Sequence, residues 1–394
     1  MKVFFNKPHF TGREFDYIRE ALANGHVSGN GPFTRRCQAM LCERYGFKKC
    51  LLTSSCTDAL EMSALLLDLI PGDEVIVPAY TFVSTANAFV LHGANVVFAD
   101  SCADHPNIDP ESIERSITPR TRAIVVVHYG GAGCDMGPIM EIAEKNGLIV
   151  IEDAAQAIDA YYKDRPLGSI GHLATFSFHE TKNLSSGEGG ALIVNDARFA
   201  DRAELLWEKG TTRASFRRGE VDKYCWVDVG SSFLPSDIMA AMLCAQIEAV
   251  KDITRERREA WCRYYEGLQS FSVSTGIELP HLPRDVTDNG HIFHLVCQSQ
   301  EQRDALLDHA RAQMIDIVFH YLALHQSPFY TQQWGSHVAL PSLPNAERFA
   351  ACLIRLPMYS EITVADQNCV MEALESAPIS EAAASTSLPQ TVGA

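Results

Sequence analysis

Short apolar runs alternate with helical patterns between about residues 50 and 200, and this alternation restricts the folds open to the chain. The runs lie at 74–77, 95–99, 123–127, 148–151, 174–178 and 191–194. Helical patterns at 59–69 and 136–145 separate some of them and end at the turn signals Pro71-Gly72 and Asn146-Gly147. Apolar strands that alternate with helices are typical of a mainly parallel sheet with both faces covered. The sequence therefore predicts an α/β fold.

The second half of the chain has a different pattern. A long helical stretch, 236–267, is followed by a small α+β unit with strand-like and helical segments at 292–297, 302–313, 315–319 and 364–375. Because 394 residues exceed what one small core usually covers, we expect two domains. We predict a large domain over 1–250, which includes the N-terminal segment, and a smaller C-terminal domain over 251–376. Residues 377–394 lack apolar periodicity and are predicted to be a disordered tail.

The charge and cysteine patterns argue against several classes of protein. With 33 basic and 49 acidic residues the formal net charge is −16, which disfavours a nucleic-acid or anionic-membrane surface. The sequence shows neither a secretory signal nor an apolar stretch of membrane-spanning length, so a cytoplasmic protein is expected. The 12 cysteines are scattered without a Cys-x-x-Cys pair and are interpreted as reduced thiols. No metal site is predicted, because the histidines are not grouped with cysteines at ligand spacing.

Polar residues follow three of the predicted strands, where ligands of parallel sheets usually bind. The segment 54–57 (Ser-Ser-Cys-Thr) enters a helix, so its hydroxyl and backbone N–H groups could bind a monophosphate at the positive end of the helix dipole. The same residues could instead form an ordinary N-cap.

Asp153 and Lys182 end two further strands. A buried aspartate needs a cation, and a protonated pyridine nitrogen would serve, although an arginine partner or a turn cap explains Asp153 alone equally well. Lys182 precedes the glycine-rich segment 187–190, and an apolar strand end would favour the neutral amine that attacks carbonyl groups. A loop lysine by itself is usually exposed. The three sites together indicate a phosphate-bearing carbonyl cofactor.

The ordered series T-S-S-C-T-D-A-L, P-A-Y-T-F-V-S-T-A-N-A, E-D-A-A-Q-A, S-F-H-E-T-K-N and G-E-G-G-A resembles the DegT/DnrJ/StrS family of sugar aminotransferases, which depend on pyridoxal 5'-phosphate (PLP). The resemblance extends from about residue 4 to 375. It implies an aspartate-aminotransferase-like (type I PLP) fold, with a large mainly parallel-sheet domain and a smaller α+β C-terminal domain. It also implies a homodimer whose two active sites are completed across the interface.

Site residues follow from this resemblance position by position. Lys182 matches the Schiff-base lysine and Asp153 the partner of the pyridinium nitrogen. Gln156 matches the residue beside the ring hydroxyl, and Phe82 the aromatic side chain stacked on the ring. The positions that match the phosphate-binding region are Ser55, Cys56, Thr57 and Ser177.

The neighbouring subunit of such a dimer would contribute a loop to the phosphate site. Many relatives carry Asn and Arg there, where this chain has Ser232, which can still donate to phosphate, and Leu234, which cannot. A histidine common in a mobile loop of the family is replaced here by Lys209. The substrate candidates are His179, Tyr321 and His325. His179 could contact the sugar or the cofactor, but a histidine at a strand end is more often structural.

The expected reaction transfers the amino group of L-glutamate to C4 of a nucleotide-linked 4-keto-6-deoxy sugar. The motifs are most similar to those of members that act on dTDP-4-keto-6-deoxy-D-glucose. Another nucleotide keto sugar, aminated at C3 or linked to UDP, stays open as the acceptor. So does a non-catalytic, PLP-binding regulatory protein. Sugar 3-dehydratases of the family carry histidine at the lysine position, so Lys182 argues against that activity.

Overall fold

The structure is a computed structural model that describes residues 2–333 and 341–379. Its strands are β1 (Cys50–Thr53), β2 (Glu74–Pro78), β3 (Asn95–Ala99), β4 (Thr121–Val127), β5 (Ile149–Asp153), β6 (Tyr161–Tyr162), β7 (Arg165–Pro166), β8 (Leu173–Ser177), β9 (Gly190–Val194), β10 (Val286–Thr287), β11 (His294–Val296), β12 (Val318–Phe319) and β13 (Leu353–Arg355). Its α-helices are α1 (Glu14–Ala23), α2 (Pro32–Tyr45), α3 (Cys56–Leu66), α4 (Ser84–Leu91), α5 (Pro110–Ser116), α6 (Met136–Asn146), α7 (Ala200–Trp207), α8 (Arg213–Arg217), α9 (Asp237–Glu248), α10 (Val250–Gly267), α11 (Gln269–Thr275), α12 (Gln300–Ala312), α13 (Pro328–Gln333), α14 (Pro344–Cys352) and α15 (Val364–Glu375).

The largest sheet has seven strands in the order β1-β9-β8-β5-β4-β2-β3. All neighbours are parallel except β9, which runs antiparallel to β1 and β8. Successive residues of β4 point to opposite faces of the sheet. Val125 belongs to the apolar cluster on one face, whereas Ile124 and Val126 belong to the cluster on the other. Both faces of the sheet are therefore buried, as predicted, and in β4 residues 123–127 are apolar on both faces.

Helices cover the two faces, and side-chain caps fix where several of them begin. Ser55, Ser236, Ser299 and Thr363 each accept a hydrogen bond from a backbone N–H in the first turn of α3, α9, α12 and α15. For α3 this cap places the start of the helix directly after β1. The helix therefore begins at the edge of the sheet where the parallel strands end.

The predicted single helical stretch over 236–267 is two helices. The backbone at Ala249 has φ −92° and ψ 2°, so α9 ends there and α10 begins at the next residue. Helix α9 is buried among α1 and α2, whereas α10 packs against α15. The chain changes direction at Ala249 because the two helices belong to different packing layers.

The C-terminal half forms a second, smaller layer. Strands β11, β13 and β12 make an antiparallel sheet with β13 in the middle, while β10 pairs with β6 of the first half. We propose the division between α9 and α10 as the domain boundary. The predicted tail lies, apart from 377–379, outside the described residues. No helix in the described ranges is long and apolar enough to cross a membrane.

Candidate active site

A cavity of about 620 Å³ lies where β1, β2, β5 and β8 end. It is lined by side chains of four strand-to-helix or strand-to-loop connections, within 55–57, 81–84, 153–156 and 177–182. Glu188 of the glycine-rich segment also lines it. The remaining polar or aromatic lining residues come from the N-terminal segment and the C-terminal half: Phe5, Asn6, His291, His320, Tyr321 and Arg355. The polar residues predicted at three strand ends are thus brought together.

The start of α3 forms one end of the site. Ser55 caps the helix, its Oγ accepting from the Asp58 N–H at 3.0 Å, and the first-turn N–H groups of Cys56 and Thr57 have no acceptor within the helix. A Cβ on Gly190 would lie 2.4 Å from the Ser55 carbonyl carbon, so only glycine lets β9 pass this close. The helix start therefore presents backbone donors and hydroxyl groups to the cavity, an arrangement suited to phosphate.

Asp153 is the last residue of β5 and is 5% exposed. Its Oδ2 accepts a hydrogen bond from Thr85 Oγ1 at 2.7 Å, and its Oδ1 accepts from the Ala155 N–H at 3.2 Å. Burial raises the pKa of this carboxyl, although both hydrogen bonds and the charge of Lys182 act against the rise. A cation placed in the cavity beside Asp153 would keep the carboxylate ionised.

Lys182 lies in the turn that follows β8, held by a hydrogen bond from its own N–H to the His179 carbonyl oxygen at 2.9 Å. Its side chain lines the cavity. Burial lowers the pKa of Lys182, and the nearby charge of Asp153 only partly opposes this. A larger fraction of neutral amine is therefore available than for an exposed lysine.

Gln156 is locked in one orientation between two groups. Its Oε1 accepts from the Gly130 N–H at 2.7 Å, and its Nε2 donates to the Tyr321 hydroxyl oxygen at 2.8 Å. Asn289 fixes the Gln156 backbone by donating to its carbonyl oxygen at 2.9 Å. At Gly131, where φ is +83°, a Cβ would lie 1.9 Å from the Asn289 side-chain oxygen. The glycine therefore allows the contact that positions Gln156.

A buried carboxylate beside Asp153 supports the strand end. Glu152 is fully buried and takes a hydrogen bond from His128 Nε2 at 2.9 Å. Because the Cys134 N–H donates to His128 Nδ1, this histidine is the neutral Nε2–H form. The other donors to Glu152 are the N–H groups of Gly168, Ile170 and Gly171, at 2.8, 2.7 and 2.5 Å. Burial raises the pKa of Glu152, but these hydrogen bonds outweigh it and hold the pKa below the ordinary 4.5.

Of the other predicted site residues, some line the cavity and some lie outside it. Phe82 lines the cavity with 57% of its surface exposed, and His179 lines it with Nδ1 hydrogen-bonded to Thr181. Ser232 is exposed and lies outside the cavity lining. His325 is 1% exposed and its Nε2 lies 3.0 Å from Glu347 Oε1, so the structure does not bring it to this cavity.

Several site residues carried no individual sequence prediction. Thr85 lies inside a motif that was used for the resemblance, but its contact with Asp153 appears only once β2 and β5 are placed in one sheet. His291 and Arg355 come from the C-terminal half, where the predicted strands gave no sign of which residues face the cavity. The run Asp-Asn-Gly-His at 288–291 was the one available signal, because Asn-Gly marks a turn.

Comparison with known proteins gives consistent matches over nearly the whole chain. The DegT/DnrJ/EryC1/StrS aminotransferase family matches residues 8–375. The Bacillus subtilis spore coat polysaccharide biosynthesis protein SpsC is 33% identical over 383 residues, which cover 94% of this chain and 95% of SpsC. Among solved structures, DesV of S. venezuelae has a TM-score of 0.86 at 31% identity, covering 95% of this chain and 97% of DesV. The aminotransferase TlmJ of Streptoalloteichus hindustanus has a TM-score of 0.86 at 29% identity, covering 94% and 97%. The family match and these neighbours confirm the predicted fold class.

Proposed function

Because the chain belongs to the DegT/DnrJ/EryC1/StrS aminotransferase family, and is thus a PLP-dependent sugar aminotransferase, we propose that it aminates C4 of a nucleotide-linked 4-keto-6-deoxy sugar. The proposed donor is L-glutamate and the proposed acceptor is dTDP-4-keto-6-deoxy-D-glucose. The product would be dTDP-4-amino-4,6-dideoxy-D-galactose, as made in enterobacterial common antigen synthesis. The motif similarity described above supports this choice of acceptor.

One observation carries the proposal: Lys182, Asp153 and the start of α3 line a single cavity. Each part of this cavity fits a different part of PLP. The capped helix start offers donors to a phosphate, the buried Asp153 carboxylate needs a cation such as a protonated ring nitrogen, and Lys182 offers an amine with a lowered pKa. Bound PLP supplies an aldehyde that exchanges amines and a conjugated ring that accepts the electron pair left at the substrate carbon.

The side chains have separate tasks in this proposal. Lys182 would hold the cofactor through its Nζ. Once released, that amine would take a proton from the substrate carbon in the first half of the reaction and give one to the sugar carbon in the second half. Asp153 would keep the ring nitrogen protonated. Gln156 and Tyr321, which are hydrogen-bonded to each other, would provide fixed polar groups for the ring oxygen. Phe82 would pack against the ring, and His179 would contact the sugar.

We further propose that the enzyme works as a homodimer. Phe82 and Val83 at the cavity are 57% and 53% exposed, and Trp226 and Val229 in the segment before Ser232 are 81% and 53% exposed. Apolar side chains exposed to this degree favour contact with another protein surface. A second copy of the chain would cover them and would bring Ser232 of the partner subunit to the phosphate site.

The proposal is tested with a panel of dTDP- and UDP-linked 4-keto and 3-keto sugars, each incubated with the PLP-loaded enzyme and L-glutamate. NMR of the product reports the aminated carbon and the configuration of the amine. We expect amination at C4 of dTDP-4-keto-6-deoxy-D-glucose with the galacto configuration, none with Lys182→Ala, and full activity with Lys251→Ala, which changes an exposed lysine of α10. Amination at C3, or of UDP sugars alone, would contradict the proposed substrate. Inactivity with every keto sugar, despite bound PLP, would point to a non-catalytic protein.

A further inference from the structure

Arg355 is a cavity residue to which the function proposed above gives no task. It is the last residue of β13, the middle strand of the small sheet, where its backbone pairs with His294 on one side and Val318 on the other. The guanidinium carbon lies 4.6 Å from the centre of the Phe5 ring. Phe5 is held nearby because its carbonyl oxygen accepts from the Met358 N–H at 3.1 Å. The strand pairing and the aromatic ring thus fix where the guanidinium lies.

One donor of the half-buried Arg355 side chain, its Nε–H, is buried without a hydrogen-bond acceptor in the part of the chain that the structure describes. Within the described ranges no carboxylate forms an ion pair with Arg355. Arg257, a buried arginine, gives a useful contrast, because it donates to the carbonyl oxygens of Gly290, His291 and Met358. Leaving a buried N–H without an acceptor is costly, and the planar array of donors of a guanidinium matches a carboxylate or phosphate. Arg355 is therefore placed to meet an anion in the cavity.

Four anionic groups enter this cavity during the proposed reaction. The phosphate of PLP already has the start of α3, which belongs to the other half of the molecule. The remaining three are the α-carboxylate and the γ-carboxylate of the amino-acid donor and the diphosphate of the nucleotide sugar. In the donor, the α-carboxylate is bonded directly to the carbon from which Lys182 removes a proton. In the sugar, the diphosphate is attached to C1, across the ring from C4. Only the α-carboxylate must lie close to Lys182.

The charge of Arg355 reaches the reacting end of the cavity. Burial is the main cause of the lowered pKa of Lys182, and the positive charge of Arg355 lowers it further. The same charge acts on His291 and Tyr321, which also line the cavity. Arg355 and Lys182 thus line the same cavity, and their charges act on each other.

We propose that Arg355 binds the α-carboxylate of the amino-acid donor. This inference rests on the proposed aminotransferase function and names the residue that recognises the donor. The keto sugar has no carboxylate beside its reacting carbon. Arg355 therefore contributes more to the half-reaction with glutamate than to the half-reaction with the sugar.

The test measures the two half-reactions separately in single-turnover experiments followed by the cofactor absorbance, with the PLP-loaded enzyme for glutamate and with enzyme loaded with pyridoxamine 5'-phosphate for the keto sugar. In Arg355→Gln we expect kcat/KM for glutamate to fall about 100-fold, which is what the loss of one or two charge-assisted hydrogen bonds produces. The rate with the keto sugar should change by less than about 5-fold. For Arg355→Lys we expect a kcat/KM for glutamate between the values of wild type and Arg355→Gln, because lysine keeps the charge but not the paired donors. Arg311→Gln, which changes an exposed arginine of α12, is the matched control and should leave both rates unchanged.

Two esters of glutamate identify the carboxylate. Wild type should discriminate about 100-fold against the α-methyl ester, whereas Arg355→Gln should treat the ester and glutamate alike. Replacing glutamate with its γ-methyl ester should change the rate of the amino-acid half-reaction by the same factor in both proteins. The inference is overturned if Arg355→Gln slows the sugar half-reaction as much as the glutamate half-reaction, loses PLP, or still discriminates against the α-ester. Wild-type enzyme that transfers no amine at all would instead overturn the proposed function.

Discussion

Thr85→Val tests whether the hydrogen bond to Asp153 matters for catalysis. Thr85 is 1% exposed in the first turn of α4 and donates to Asp153 Oδ2 at 2.7 Å. Thr81 Oγ1 lies 2.9 Å from Thr85 Oγ1 and must donate to it, because the Thr85 proton is used for the carboxylate. Valine has the same shape as threonine but no donor. The substitution thus removes one hydrogen bond from a buried carboxylate without opening a cavity.

The size of the expected effect on the pKa of Asp153 follows from the negative charge of the carboxylate that accepts the hydrogen bond. A hydrogen bond to a charged group contributes about 1.5–3 kcal/mol, which corresponds to roughly 1–2 pKa units of Asp153. Because burial already raises the pKa of Asp153 above its ordinary 3.8, losing the donor raises it further. A more basic carboxylate takes a larger share of the proton that it shares with the ring nitrogen, so the ring is protonated for less of the time. We expect kcat/KM to fall about 10- to 100-fold while PLP stays bound.

The assay combines steady-state kinetics with unfolding of the cofactor-free protein at several pH values. An aspartate whose pKa is raised by folding destabilises the folded state above that pKa and ceases to do so when it is protonated. Thr85→Val should therefore lower the free energy of unfolding at neutral pH, and the difference from wild type should shrink as the pH falls through the pKa of Asp153. Thr81→Val is the control, since it leaves the donor to Asp153 in place. Unchanged kcat/KM in Thr85→Val, or a stability difference that does not depend on pH, would refute the reasoning.

Three further predictions concern the surroundings of the site. Glu152→Gln keeps one acceptor oxygen but replaces the other with an amide NH₂, which faces N–H donors and cannot accept from them. Two charge-assisted hydrogen bonds are lost, so the free energy of unfolding measured in urea should fall by about 3–6 kcal/mol. Because the pKa of Glu152 is held below 4.5, this difference should persist from neutral pH down to about that value and vanish only at lower pH; an equal stability of both proteins at pH 7 would contradict it. Gly131→Ala must displace Asn289, with a Cβ 1.9 Å from its side-chain oxygen, and should lower PLP affinity measured by equilibrium dialysis; wild-type affinity would contradict it. Trp226→Ser should convert a dimer to monomers in sedimentation velocity and reduce activity, whereas a wild-type monomer would contradict the dimer proposal.

The strands of the large sheet could be predicted closely from the sequence because most of them are short runs of apolar residues. The predicted run 95–99 coincides with β3, and the predicted runs at 123–127 and 191–194 lie inside β4 and β9. The break at Ala249 could not be predicted, because alanine is the strongest helix former and the chain there has neither glycine nor proline. Packing of α9 and α10 in different layers decides that boundary.

Some residues of the candidate site could likewise be predicted from the sequence, and others could not. Residues at or shortly after strand ends, such as Asp153 and Lys182, could be predicted because parallel strands end at one edge of a sheet. The hydrogen bond of Thr85 to Asp153 and the position of Arg355 in the cavity could not, because both depend on contacts between segments far apart in the chain. Spacing along the sequence carries no information on such contacts.

Covalent mapping of the cofactor tests the central claim, that Lys182 is the lysine that holds PLP. Reduction of the PLP-loaded enzyme with borohydride makes the attachment permanent, and mass spectrometry of its peptides identifies the modified lysine. The structure leads us to expect the modification on Lys182 alone, and its loss in Lys182→Ala. Modification of a different lysine in the native enzyme, or none, would contradict the account.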